Sequence, residues 1–131
     1  MDSIDFLALY TESGTNETYK DSLVITQQYN QGKGVVLFSQ EAVATLKTQG
    51  LTIEHTQAES FVRDCDREKK AFRLISYQIS SGFVATVPKI YMTQLFGEQD
   101  TNTLLLFSHS SEDASEQQQM RKAFSTIHCV K

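Results

Sequence analysis

The stretch AFRLISYQIS at residues 71–80, followed by FVATVPKIYMTQLF at residues 83–96, decides the fold of this chain. In the first segment Ile75, Tyr77 and Ile79 alternate with other residues, as in a β-strand that buries one face. The sequence SSG separates the two segments and favours a turn, so the pattern predicts an antiparallel hairpin. Pro88 cannot donate a hydrogen bond to a ladder, so the return strand is expected to be at an edge, bent or bulged there.

The residues that follow the hairpin predict one more strand and a closing helix. TLLLFSHS, at residues 103–110, has the composition of a strand. A helix is expected over about 112–127, with Ser110 or Ser111 as its cap and acidic residues near its positive end. Its apolar stripe comprises Met120, Ala123, Phe124 and Ile127. We expect Phe124 to be buried against the sheet.

The first half of the chain predicts further strands and a second helix. Residues 4–10 and 19–29 have the pattern of strands separated by a turn. A middle helix is expected over about 40–48, with Ser39 as its cap and Gly50 in the left-handed conformation after its end. Residues 56–65 fit a helix and a strand almost equally well. The chain is therefore expected to be one α+β domain over residues 1–131, with an antiparallel sheet of about five to six strands.

Charge and hydropathy exclude several classes of function. The net charge of −4 disfavours nucleic-acid binding, which depends on Lys and Arg replacing counterions. No apolar run approaches the roughly 20 residues that span a bilayer, so no transmembrane segment is expected. The segment FLALY is too short and too acidic in its flanks for a signal peptide. We expect a soluble, cytoplasmic protein, or a cell-envelope protein if a signal segment was removed.

The two cysteines, Cys65 and Cys129, leave alternatives open. Whether residues 56–65 form a helix or a strand, Cys65 is expected to point towards the core, in the same direction as Phe61. The two are expected to be free thiols that act as small apolar residues, with a disulfide between them as the alternative. A metal site that adds His128 and a neighbouring aspartate is disfavoured, because zinc ligands usually come in closely spaced pairs. No metal and no cofactor is expected.

Candidate catalytic groups are few. Ser108, His109, Ser110 and Asp113 form a set that resembles a triad. They lie at a strand-to-helix junction, where Ser and Asp ordinarily act as caps. Adjacent His128 and Cys129 diverge and would be poorly held as a nucleophile and base. We therefore assign no catalytic residue, and leave a small enzyme that uses His109 with Tyr77 or Tyr91 on the sheet face as the alternative function.

The order of these segments resembles the PsbP/DcrB-like family of small α/β sandwich proteins. The similar pieces are DSLVITQQ, the hairpin AFRLISYQISSGFVATVPKIYMTQ, and NTLLLFSHSS running into a helix that ends FSTIH. The chain departs from many members in lacking a Trp in its N-terminal strand region and a Gly at the 67–71 turn. The resemblance implies no shared catalytic set. The family includes photosystem-associated extrinsic proteins, envelope lipoproteins, a Ran-binding group and cytosolic chaperones of type VI secretion effectors.

These observations favour a non-enzymatic protein-binding or adaptor module, chaperone-like in character. Its partner is expected to be another protein, with self-association as an alternative. Tyr77, Tyr91 and Met92 are the candidate partner surface, because aromatic and Met side chains suit adaptable protein contacts. The competing interpretation is that these side chains are simply part of the core.

Overall fold

The computed structural model describes residues 3–4, 22–65, 67–80 and 89–130. Within these ranges the chain forms seven strands and two helices: β1 (Ser3–Ile4), β2 (Ser22–Tyr29), α1 (Val35–Thr48), β3 (Thr52–Cys65), β4 (Glu68–Ser80), β5 (Ile90–Glu98), β6 (Thr103–Ser111), α2 (Ala114–Ser125) and β7 (Cys129–Val130). The predicted first strand beyond Ile4 and the predicted irregularity at Pro88 lie outside the described residues.

The larger sheet is antiparallel and has five strands in the order β2-β6-β5-β4-β3. A separate antiparallel pair joins β1 to β7. The two helices lie on opposite faces of the larger sheet, α1 against β3, β4 and β5, and α2 against β4, β5 and β6. The predicted α+β class, with one mid-chain and one C-terminal helix, is confirmed.

The middle helix begins earlier than predicted, at Val35 rather than near residue 40. The sequence VVLF is typical of a strand, because valine favours strands. In the structure Val35 is buried against the sheet and Phe38 packs beside it, which outweighs this preference. Ser39 is therefore not the cap but an interior residue whose Oγ donates to the carbonyl oxygen of Val36 at 2.8 Å. Gly50 does take a left-handed φ of 90° after the helix.

Residues 52–65 form one long strand, so the helical alternative for residues 56–65 is wrong. β3 pairs with β4 along its length, with one irregularity between Glu54 and Gln57. His55 lies in this bulge with a φ of 56°. Most side chains of β3 are exposed, so the sequence of this strand shows little of the alternation that marks a half-buried strand.

The closing helix is shorter than the predicted 112–127. Asp113 is its N-cap, and the Asp113 side chain accepts a hydrogen bond from the backbone N–H of Ser115 at 2.8 Å. Ser111 supports the cap from outside the helix, where its Oγ accepts from the N–H of Asp113 at 2.9 Å. Phe124 is fully buried, as predicted.

Two apolar cores lie on the two faces of the sheet. The α2-side core consists of Phe72, Leu74, Leu95, Phe107, Met120, Phe124 and Ile127. The α1-side core consists of Val35, Ile75, Tyr77, Phe96 and Leu104. β4, β5 and β6 contribute to both, because alternate residues of a strand face opposite sides. In the described part of the chain, neither helix is long and apolar enough to cross a membrane.

Candidate functional site

The three residues of the predicted partner surface do not share one exposed face. Tyr77 and Met92 are directly opposite each other in the ladder and both face α1. Tyr91 pairs with Gln78 and faces the α2 side. Tyr77 is only 1% exposed, so it belongs to the core rather than to a partner surface.

Tyr77 begins a hydrogen-bonded chain across three strands. Its hydroxyl donates to Oε1 of Gln94 at 2.8 Å, and Nε2 of Gln94 donates to Oγ of Ser108 at 3.0 Å. Burial raises the pKa of Tyr77 to about 12. The hydroxyl therefore stays protonated near neutral pH, and the arrangement joins β4, β5 and β6 rather than supplying a base.

A second group of buried polar side chains lies on the opposite face, under α2. Ser76, Thr93 and His109 are in register across β4, β5 and β6, and we call them the polar row. All three are at most 3% exposed. The structure gives no hydrogen-bond partner to Oγ1 of Thr93 or to Nε2 of neighbouring Gln78.

α2 closes the polar row. Gln117 donates from Nε2 to the backbone oxygens of Tyr77 at 3.1 Å and Met92 at 3.0 Å. Arg121 donates from Nη1 to Oγ of Ser76 at 2.6 Å. These bonds fasten the helix over the row, so a ligand could reach it from this side only if α2 moved.

The sheet separates most, but not all, of the predicted catalytic alternatives. His109 and Tyr77 lie on opposite faces of the sheet, and Ser108 and His109 also face opposite sides because they are consecutive in β6. Asp113 caps α2, which is its ordinary structural role. Tyr91 does share the face of His109 and is its diagonal neighbour, because Tyr91 pairs with Ser111 and Thr93 pairs with His109.

Cys65 is fully buried and disulfide-bonded, so the expectation of a free thiol is wrong for this residue. The sequence contains one other cysteine, Cys129. Cys129 lies in β7, which contacts β3, while its side chain is outside what the structure describes. Among the described residues, no group of three or more His, Cys, Asp or Glu side chains could hold a metal ion.

An open cleft of about 580 Å³ lies where three connections meet, between β2 and α1, between β3 and β4, and between β5 and β6. Its lining includes Lys33, Lys69, Lys70, Glu68, Glu98 and Asp100. The charges compensate one another: Lys33 pairs with Glu41 at 2.6 Å and Lys70 with Glu68 at 3.0 Å. The cleft therefore presents no excess of either charge to a ligand.

The backbone of this end is braced by its own turn residues. Oδ1 of Asp100 accepts from the backbone N–H groups of Asn102 at 2.8 Å and Thr103 at 2.9 Å. Hydrogen bonding from Asn102 and Thr103 lowers the pKa of Asp100. Lys70 donates from Nζ to the carbonyl oxygen of Gln99 at 2.8 Å. These contacts explain the polar lining as turn structure.

β2 is an edge strand without charge. Among the described strands it pairs only with β6, in an unbroken register over all eight residues, SLVITQQY. Val24 is 50% exposed on the α1 side, and Ile25 and Tyr29 are 40% and 71% exposed on the α2 side. The strand contains no Lys, no Pro and no bulge, which are the common devices that stop an edge from pairing.

β3, the opposite edge, carries several of these devices. Its sequence includes Glu54, His55, Glu59, Arg63 and Asp64. The bulge between Glu54 and Gln57 breaks its register. One of its apolar residues, Val62, is as exposed as Val24, at 52%. The two edges therefore differ in charge and regularity, and among the described residues β2 also exposes more large apolar side chains than β3, three against one.

The comparisons with known proteins concern the fold. The structure is similar to the crystal structure of PA94 from Pseudomonas aeruginosa, a protein of unknown function described as a candidate regulator, with a TM-score of 0.56 and 14% identity. The match covers 95% of this chain and 78% of PA94. At this identity the likeness shows a shared fold alone. No protein-family model and no curated protein matched the sequence.

Sequence reasoning missed the β2 edge as a candidate site. The signal was present, because SLVITQQY is a run of β-favouring and uncharged residues. What the sequence alone does not show is that this strand lies at the border of the sheet. Its neighbour β6 is distant along the chain, so the position of β2 depends on tertiary pairing.

Proposed function

We propose that this chain is a non-enzymatic protein-binding module, adaptor-like in role, whose binding surface is the β2 edge. The observation that carries the proposal is the uncharged, regular edge strand with Val24, Ile25 and Tyr29 exposed. An extended polypeptide can add to such an edge, with backbone hydrogen bonds supplying affinity and alternate side chains supplying specificity.

The contrast between the two edges supports this assignment. An edge that only has to remain soluble acquires charges or bulges, as β3 does. β2 combines high β-propensity with zero charge, a combination that exposes a protein to unwanted pairing. An edge with this tendency to pair is understandable if another strand covers it when the protein functions.

The test compares two matched substitutions on the two edges. Val24→Lys and Val62→Lys place the same charge at positions of nearly equal exposure, 50% and 52%. We expect the Val24→Lys variant to lose partner capture from an extract of the source cells, while the Val62→Lys variant retains it. Circular dichroism confirms that both remain folded. Equal capture by all three proteins would rule out the β2 edge as the binding surface.

The alternative is a small enzyme with a polar site on the sheet face. The observation in its favour is the polar row, with Thr93 Oγ1 and Gln78 Nε2 buried and lacking partners. Against it, α2 is hydrogen-bonded over the row through Gln117 and Arg121. The adaptor proposal needs no such movement, because Val24, Ile25 and Tyr29 of β2 are already exposed.

We further propose that the chain is related to the PsbP/DcrB-like proteins. An antiparallel sheet between two helices supports this relationship.

We also propose that the protein works in an oxidising compartment such as the cell envelope. The disulfide at Cys65 supports this compartment over a cytoplasmic location, since cytosolic thiols are kept reduced. Fractionation of the source cells, with detection of the protein in each fraction, tests the compartment.

A further inference from the structure

We propose that the occupant of the β2 edge is the β2 strand of a second copy of this chain, paired antiparallel about a two-fold axis. Two five-stranded sheets would then join into one continuous sheet. This inference rests on the proposed function, because it names the partner of the same edge. It concerns self-association, which closes the edge without requiring any other polypeptide.

The absence of charge on β2 favours this edge over the β3 edge for a second copy. The chain carries a net charge of −4, so two copies repel each other at long range. Self-association is least opposed where the facing surfaces carry no charge, and no residue of β2 is charged. At the β3 edge, by contrast, the charged side chains of Glu54, Glu59, Arg63 and Asp64 would have to be brought against another copy.

The geometry of an antiparallel self-pair matches the two faces of β2. A two-fold axis normal to the sheet keeps each face on the same side in both copies, so residues of the same face oppose each other across the pair. Val24, Thr26 and Gln28 of one copy would oppose that same α1-side set in the other. On the α2 side the opposed set is Leu23, Ile25, Gln27 and Tyr29. Neither face brings an Asp, Glu, Lys, Arg or His side chain against an apolar one.

Length and regularity also suit self-pairing. β2 is eight residues long and has no bulge in its pairing with β6, so the side of β2 that no described strand pairs presents a regular row of backbone N–H and C=O groups. An identical strand running in the opposite direction presents the same spacing. The exposed Tyr29 and Ile25 side chains would lose solvent contact against the second copy, which adds apolar burial to the backbone hydrogen bonds.

The experiment measures mass in solution and protection of the strand together. Sedimentation velocity over a range of concentrations is run on the full wild-type chain with its disulfide intact, and on the Val24→Lys, Ile25→Lys and Val62→Lys variants. Hydrogen exchange is followed for the outer β2 amides, the alternate backbone N–H groups that point away from β6. We expect wild type and Val62→Lys to be dimers with protected outer β2 amides, and the two β2 variants to dissociate, with a dissociation constant raised roughly tenfold or more.

Three outcomes overturn the inference. A dimer that persists in both β2 variants uses another surface. A wild-type monomer whose outer β2 amides are protected has its edge covered by other residues of the same chain. A wild-type monomer with unprotected outer β2 amides, which still loses partner capture on Val24→Lys, leaves the proposed function intact and shows that a different protein is the occupant. Only a monomer whose partner capture is also insensitive to Val24→Lys removes both.

Discussion

The guanidinium of Arg63 on β3 caps the end of α2, donating from Nη2 to the carbonyl oxygen of Ser125 at 2.6 Å. Its Nε donates to the carbonyl oxygen of Ile127 at 3.1 Å. The last carbonyls of a helix lack partners within the helix and carry partial negative charge. The Arg63 side chain is held in place by Phe61, whose ring centroid lies 4.4 Å from the guanidinium carbon. The edge strand β3 thus fastens the C-terminal helix to the sheet.

Arg63→Ala should lower the free energy of unfolding by about 1–2 kcal/mol, because two charge-assisted hydrogen bonds are lost, one to the last carbonyl of α2 and one to a carbonyl just beyond it. Chemical denaturation monitored by circular dichroism measures the change. Arg67→Ala is the matched control, since Arg67 is exposed in the following turn. Equal, small effects in both variants would show that the cap contributes nothing measurable.

Phe124→Ala should cost about 3–5 kcal/mol, as for other core aromatic side chains. Phe124 is fully buried, and its ring centroid lies 6.2 Å from that of Phe107. The midpoint and slope of a urea titration give the free energy. A loss below about 1 kcal/mol would mean that α2 is not docked on the sheet as described.

Thr93→Val should raise stability, by about 1 kcal/mol, because it removes a buried hydroxyl that has no hydrogen-bond partner. Ser76→Ala, in the same polar row, should instead destabilise the fold, since Oγ of Ser76 accepts from Arg121 at 2.6 Å. The two variants are compared by thermal and chemical denaturation. A clear loss of stability in Thr93→Val would indicate that a ligand or ordered water bonds the hydroxyl in solution.

Thiol titration of the unfolded, unreduced protein should detect no free thiol, because Cys65 is disulfide-bonded and the sequence has two cysteines. Cys65→Ala should cost about 2–5 kcal/mol under oxidising conditions. Under reducing conditions the difference in the free energy of unfolding between wild type and Cys65→Ala should become smaller, because the bond is then broken in both. Finding two thiols per chain would contradict the bond.

Tyr77 should make stability depend on pH between about 10 and 12. Burial raises the pKa of Tyr77 from 10.0 to about 12, so the folded state holds the phenolic proton more tightly than the unfolded state. Its contribution is complete below pH 10 and is lost as the pH rises towards 12, by about 2–3 kcal/mol. Tyr77→Phe should remove this component while other groups titrate as before. The assignment would be contradicted if the free energy of unfolding of wild type and variant changed by the same amount across that pH range.

The parts of the fold that the sequence predicts are those with one unambiguous period. β4 alternates cleanly through Ile75, Tyr77 and Ile79, and α2 combines an apolar stripe with acidic residues at its start. The start of α1 escapes prediction because Val35 and Val36 prefer strands locally and become helical only through packing. Residues 56–65 fit two periods, and pairing with β4 decides between them.

The candidate site is harder to predict from the sequence than the fold, because it depends more on which strands pair and which residues share a face. Tyr77 and Tyr91 look alike in the sequence, but the ladder places them on opposite faces. The absence of charge in β2 is visible at once, yet its meaning depends on β2 lying at the border of the sheet. Likewise, Arg63 and the end of α2 are far apart in the chain and meet only after the sheet has formed.

The two cores meet in β4, where Leu74 belongs to one face and Ile75 to the other. A slip of β4 by a single residue would therefore damage both cores at once, turning the set headed by Leu74 towards α1 and Tyr77 towards α2. The register of β4 is therefore fixed by two cores, one on each face of the sheet. β2, at the border of the sheet, has exposed side chains on both faces. Errors of pairing during folding should accordingly concentrate at β2, which makes early burial of that strand valuable to the chain.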